Sequence, residues 1–142
     1  MQIEFAYYPG GVRRALTMSF DDGKLADIRL AELFKKYGIK ATFHYNSANI
    51  GKESYVTADD VRKIGEYHEV SCHGQTHAFL DKIPASFAVK EILEDKQALE
   101  DITGGLVRGL SYPYGTYTNE VLTLLPMLGI EYSRTINNTN SC

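Results

Sequence analysis

The chain has 142 residues, 44% of them hydrophobic and 23% charged, which suits one globular domain large enough to bury a core. A formal charge of −3 and no lysine- or arginine-rich run argue against nucleic acid as a partner. No apolar stretch approaches membrane-spanning length, and two widely separated cysteines, Cys72 and Cys142, do not make a disulfide framework.

The opening MQIEFAYYPGG has neither a basic start nor a long apolar segment, so no signal peptide is predicted. The expected location is cytoplasmic, or extracellular or periplasmic if a leader was removed. From about residue 15, strand-like and helix-like patterns alternate. ALTMSF (15–20) is a short apolar run closed by Asp21-Asp22-Gly23 and reads as a strand. LADIRLAELFKKYG (25–38) has helical spacing and stops at Gly38. IKATFHYN (39–46) is the second strand. TADDVRKIGEY then starts a helix at Thr57, with Asp60 three residues on as a capping-box partner.

EVSCH (69–73) is a third strand, and PASFAVKEILEDKQALEDITGG (84–105) is the longest helix pattern. LVRGLSYP (106–113), NEVLTLLPMLG (119–129) and IEYSRT (130–135) complete the order as strand, helix and strand. Such alternation predicts parallel strands joined by helical crossovers, an α/β fold with its functional groups at the carboxyl ends of the strands. Asp21-Asp22, His73 and Tyr112-Pro113-Tyr114-Gly115 all fall at such ends.

CHGQTH sets His73 and His77 four residues apart, a spacing that grips one metal ion if the segment coils as a helix. Neighbouring side chains on an extended chain diverge, so Asp21 and Asp22 are expected to take different tasks. One completes a two-histidine, one-carboxylate metal site, and the other is free to act as a base. The plainer alternative is that Asp-Asp-Gly is only a turn. Pro-Tyr-Gly after a strand is likewise either a turn alone or one that aims a backbone N–H into the cleft. Ten tyrosines and no tryptophan fit either a sugar-binding cleft or a tyrosine-filled core.

In this order, TMSFDDG, HGQTH and SYPYG resemble the motifs of the polysaccharide deacetylase family, also called the NodB-homology or carbohydrate esterase 4 group. IKATFHYN and YHEVSCH strengthen the likeness, which runs over residues 12–137. The resemblance implies an incomplete, distorted (β/α) barrel. It implies that Asp22, His73 and His77 hold a divalent metal, usually zinc, and that Asp21 is the general base. The backbone N–H of Tyr114 would bind the oxyanion formed as metal-bound water attacks an N-acetyl carbonyl, or an O-acetyl one, of a polysaccharide sugar. The implied partner is an N-acetylated glycan.

Two departures stand out. Family members often carry arginine where Ser111 stands, pairing it with the base. Arg108 lies three residues upstream, and strand alternation turns it to the other face. The family's later tryptophan wall and general-acid histidine have no counterpart, since no histidine follows His77. A complete barrel takes about 250 residues, so residues 1–142 read as a single NodB-like domain lacking the C-terminal part of the barrel. Losing a general acid costs about 10²–10⁴-fold in rate. A metal- or glycan-binding fragment with impaired catalysis is therefore the alternative function. A third, iron-dependent oxygenase reading shares the ligand set but fits all-β scaffolds better than this alternating pattern.

An unfinished barrel leaves an exposed sheet edge, which predicts homo-oligomerisation or partial disorder near the C-terminus. Of the remaining residues, His44 either faces the cleft or packs at a strand end, and His68 is a structural hydrogen-bonding residue. Cys72 is buried, Thr76 caps or positions the histidine turn, and EILEDKQALED is a solvated helix face.

Overall fold

The computed structural model describes residue 8 and residues 10–138; most of the stretch examined for a signal peptide and Cys142 lie outside the described residues. Strands β1 (Ser19–Asp21), β2 (Thr42–Tyr45), β3 (Glu69–Cys72), β4 (Gly109–Ser111) and β5 (Tyr132–Arg134) alternate with helices. The helices are α1 (Ala26–Lys36), α2 (Ala58–Gly65), α3 (Ala85–Thr103) and α4 (Asn119–Leu124). All neighbouring strands pair parallel in the order β1-β2-β3-β4-β5, and each helix is the crossover between two of them.

The sheet is curled rather than flat. Arg134 on edge strand β5 reaches Ser19 and Asp21 on the opposite edge strand, β1. Five parallel strands thus form an incomplete barrel wrapped by helices: the alternation predicts the parallel strands, and the family resemblance implies the incomplete barrel.

Period-2 alternation decides what each face carries. Phe20, Phe43, Tyr45, Val70, Cys72 and Leu110 point toward the helices and join the core built by Val61, Ile92, Leu99 and Val121. Burying each such side chain contributes about 1.5–3 kcal/mol. The alternate residues Ser19, Asp21, Thr42, His44, Glu69, Ser111 and Arg134 share the concave face and bond to one another there. The hydrophobic half of strands β1 to β4 holds the fold, and the polar half furnishes the cleft.

Element ends differ from the sequence expectation in instructive ways. The first strand begins only at Ser19, because that is where pairing with Thr42 starts; Leu16 is 84% exposed. The last helix pattern breaks at Leu124 and continues as a 3₁₀ turn over Leu125–Leu128, since Pro126 has no N–H for the α-helical ladder. The Thr57/Asp60 capping box forms, with Asp60 N–H donating to Thr57 Oγ1 and Thr57 N–H to Asp60 Oδ2.

EILEDKQALED is not a solvated face. Ile92, Asp95, Lys96 and Leu99 are buried, with Asp95 fully so. α3 packs against β3 and both neighbouring helices, leaving it little free circumference. Its buried carboxylate is tolerated because two backbone N–H groups donate to it. No helix among the described residues is long and apolar enough to cross a membrane.

Candidate metal centre

β1 delivers Asp21 to the cleft and ends there. Asp22 follows in the left-handed region with φ 77°, and Gly23 repeats it with φ 72°. A Cβ on Gly23 would lie 2.8 Å from the Tyr45 ring, so glycine is required at this point. The two carboxylates diverge because of this left-handed turn, and not through the strand alternation expected from sequence. Asp-Asp-Gly is both a turn and part of the candidate site.

The histidine pair is also assembled without a helix. Residues 73–77 form a loop in which Gly74 has φ 71° and His77 φ 62°. Surrounding polar groups hold the loop in shape. His73 N–H donates to Asp95 Oδ2 at 2.9 Å, and Asn46 Nδ2 donates to the carbonyls of His73 and Gly74 at 2.6 and 2.8 Å. Thr76 donates from both N–H and Oγ1–H to Glu91, each at 2.8 Å. Thr76 therefore positions the histidine turn. Glu91 and Asp95 lie one helical turn apart on α3, so a single helix face anchors both ends of the loop.

These restraints bring Asp22, His73 and His77 together. The two Nε2 atoms are 3.1 Å apart, and Asp22 Oδ1 lies 3.5 Å from His73 Nε2 and 3.6 Å from His77 Nε2. His73 Nδ1 is 2.7 Å from the Ser111 carbonyl, which accepts only from N–H, so the lone pair of the neutral ring sits on Nε2. Zinc–nitrogen bonds of about 2.0–2.1 Å in a tetrahedron require donors about 3.3 Å apart. The three donor atoms and their spacing fit such an ion. Burial first, then the neighbouring His73, holds His77 below the usual histidine range.

Asp21 sits beside this cluster with both oxygens engaged. Arg134 donates to Oδ1, and Ser111 Oγ–H donates to Oδ2 at 3.3 Å. Arg134 Nε–H also donates to Ser19 Oγ at 3.1 Å, and Ser19 meets His44 Nε2 at 3.1 Å. His44 closes the chain through Nδ1, 3.2 Å from the Cys72 carbonyl. It is 1% exposed, and burial above all pushes its pKa down to about 4. His44 is thus a packed strand-end residue that supports the cleft without entering the histidine cluster.

Tyr114 lies in the Pro113–Gly115 turn after β4 with φ 57°. Its ring is 4.4 Å from that of His77 and stacks on Phe79 at 3.7 Å, so the tyrosine turn borders the histidine pair. Asp22, His77 and Tyr114 are three of the four described non-glycine residues with positive φ. Such strain concentrates at functional sites.

The other residues considered fall outside the cluster. His68 bonds the Ala31 carbonyl at 2.9 Å as a structural residue, Cys72 is a free buried thiol, and Arg108 pairs with Glu131 on the surface. Sequence reasoning missed Arg134, Asn46, Glu91 and Asp95. Only Arg134 left a signal: in IEYSRT it follows Tyr132 at strand spacing.

A curled parallel sheet thus brings two histidines and a carboxylate together at its strand ends, with a second carboxylate beside them. The polysaccharide deacetylase family model matches residues 10–133, and the chain belongs to that family. It is 29% identical over 122 residues to a chitin deacetylase of a Pestalotiopsis species, covering 85% of this chain and 40% of that protein. It is 25% identical over 117 residues to the peptidoglycan-N-acetylmuramic acid deacetylase PdaC of Bacillus subtilis, covering 81% of this chain and 24% of that one. The solved structure of the Streptococcus pyogenes deacetylase PplD with acetate superposes with a TM-score of 0.84 at 19% identity, over 94% of this chain and 62% of that one. The chain spans less than half the length of these two curated relatives.

Proposed function

We propose that this chain hydrolyses acetyl groups from N-acetylated polysaccharide sugars, with a divalent cation, zinc by preference, held by Asp22, His73 and His77. The observation that carries this reading is the convergence of those three donors next to Asp21. When bound, such a cation supplies Lewis-acid chemistry, polarising a carbonyl and lowering the pKa of a water. Asp21 takes up a proton at the carboxylate oxygens that Arg134 and Ser111 orient. The backbone N–H of Tyr114, in a left-handed turn whose ring borders His77, would receive the developing oxyanion. The stacked rings of Tyr114 and Phe79 offer the sugar a face beside His77. Relatives named for chitin and for peptidoglycan support a β-linked N-acetylhexosamine polymer as the substrate.

One observation favours a second reading, binding without turnover. All four histidines of the chain are accounted for: His73 and His77 as ligands, His44 and His68 buried in structural bonds. None is free to protonate a leaving amine. Acetate release from N-acetylglucosamine oligomers, measured with zinc or cobalt, separates the two readings. Turnover abolished by Asp21→Asn supports hydrolysis. A metal-loaded wild type that binds oligomers and releases no acetate supports the binding role.

A further inference from the structure

We infer that Arg134, reaching from β5 across the open side of the sheet, is the positioning residue that orients Asp21 for proton transfer. The inference rests on the hydrolytic reading above.

Three observations carry it. Arg134 contacts Asp21 on the edge strand farthest from its own in the sheet order, so this contact spans the part of the barrel that no ladder closes. The guanidinium is itself held, because Nε–H donates to Ser19 Oγ at 3.1 Å and Ser19 is held by His44. A fixed planar fork sets the direction of a carboxylate as well as its distance. Finally, Asp21 and Asp22 both raise the pKa of nearby Asp27, and Arg134 brings positive charge against this acidic group.

Ser111 and Arg134 are register partners on β4 and β5. The guanidinium expected at Ser111 is therefore provided one strand along at the same level. Ser111 keeps a smaller part, donating its hydroxyl to the other oxygen of Asp21. The side chains of Arg134 and Asp21 are 35% and 28% exposed, and partly solvated pairs add little to stability. Orientation is what the contact can offer.

The test combines kinetics of the zinc-loaded chain on N-acetylglucosamine oligomers with NMR of the Arg134 Nε–H in zinc-free protein. Arg134→Met should lower kcat about 10²-fold with KM and zinc affinity unchanged, and Arg134→Lys should fall between it and wild type. Adding Arg134→Met to Asp21→Asn should cost nothing further. The Nε–H should be protected in wild type and exposed to exchange in Asp21→Ala and Ser19→Ala. Retention of kcat to within about threefold in Arg134→Met, or a loss that multiplies with Asp21→Asn, overturns the inference. So does an Nε–H indifferent to Asp21. An inert wild type whose Nε–H still depends on Asp21 removes the hydrolytic reading and leaves the contact standing.

Discussion

His73 and Ser111 are joined by a 2.7 Å hydrogen bond from the imidazole Nδ1–H to the Ser111 carbonyl. The bond selects one tautomer and turns Nε2 toward Asp22 and His77, so β4 orients a donor carried by the loop after β3. At the proposed metal site, affinity should therefore depend on the relation between two strands as well as on the donor set. Zinc at one hundred times its dissociation constant should stabilise the protein by about 2.7 kcal/mol, seen as a raised melting temperature. In His73→Ala/His77→Ala the shift should vanish, and zinc should no longer copurify. Stoichiometric zinc in that variant would show that the ligands lie elsewhere.

Asp95 receives Ser47 N–H on one oxygen at 2.7 Å and His73 N–H on the other at 2.9 Å. Burial raises its pKa to about 7, against the pull of these bonds. In Asp95→Asn an NH₂ donor must face one of the two N–H groups, a buried mismatch costing about 1–3 kcal/mol. Denaturant unfolding and zinc titration should both register the change. Unaltered zinc affinity would mean that the histidine loop keeps its shape without this anchor.

Asp27 is 7% exposed, and burial, then Asp22 and Asp21, push its pKa from 3.8 up to about 6. The folded state then holds the proton more tightly than the unfolded one. The stabilisation linked to this group is complete below pH 3.8 and is lost as pH rises through about 6. The shift corresponds to about 3 kcal/mol at most. Asp27→Asn should be the more stable protein at pH 7, and the difference should close near pH 4. Urea midpoints at several pH values test this; a constant difference would contradict it. His44 has the opposite sign, losing its contribution as pH falls toward about 4, but both proteins carry it and it cancels from the comparison.

Gly74 turns the chain between the two histidines with φ 71°, and a Cβ there would lie 3.1 Å from Pro113 Cγ. Gly74→Ala should cost about 1–2 kcal/mol through the left-handed backbone, with further strain at Pro113. Because the strain falls inside the ligand loop, zinc affinity should drop along with the melting temperature. A lower melting temperature with unchanged affinity would separate the turn from the metal site.

Much of this was legible in short windows of sequence. In SFD, TFHY and EVSC, every second residue is apolar and its neighbours are polar, and that spacing alone sorts them to opposite sheet faces. Thr57 and Asp60 announce a helix start, and the placement of Asp21, Asp22, His73 and Tyr114 after strand patterns brings them to one end of a parallel sheet. The left-handed conformations of Asp22 and His77 were not legible, since aspartate and histidine adopt them only where surrounding contacts outweigh the steric penalty.

Order along the chain by itself determined the parallel α/β architecture and which residues meet at the strand ends, because local alternation and turn chemistry act over a few residues. Only the tertiary structure decided how those residues are held. Arg134 meets Asp21 from 113 positions away, and Asp95 meets His73 from 22. Such pairings depend on the curl of the sheet and the packing of α3, which exist only once the hydrophobic faces have closed together.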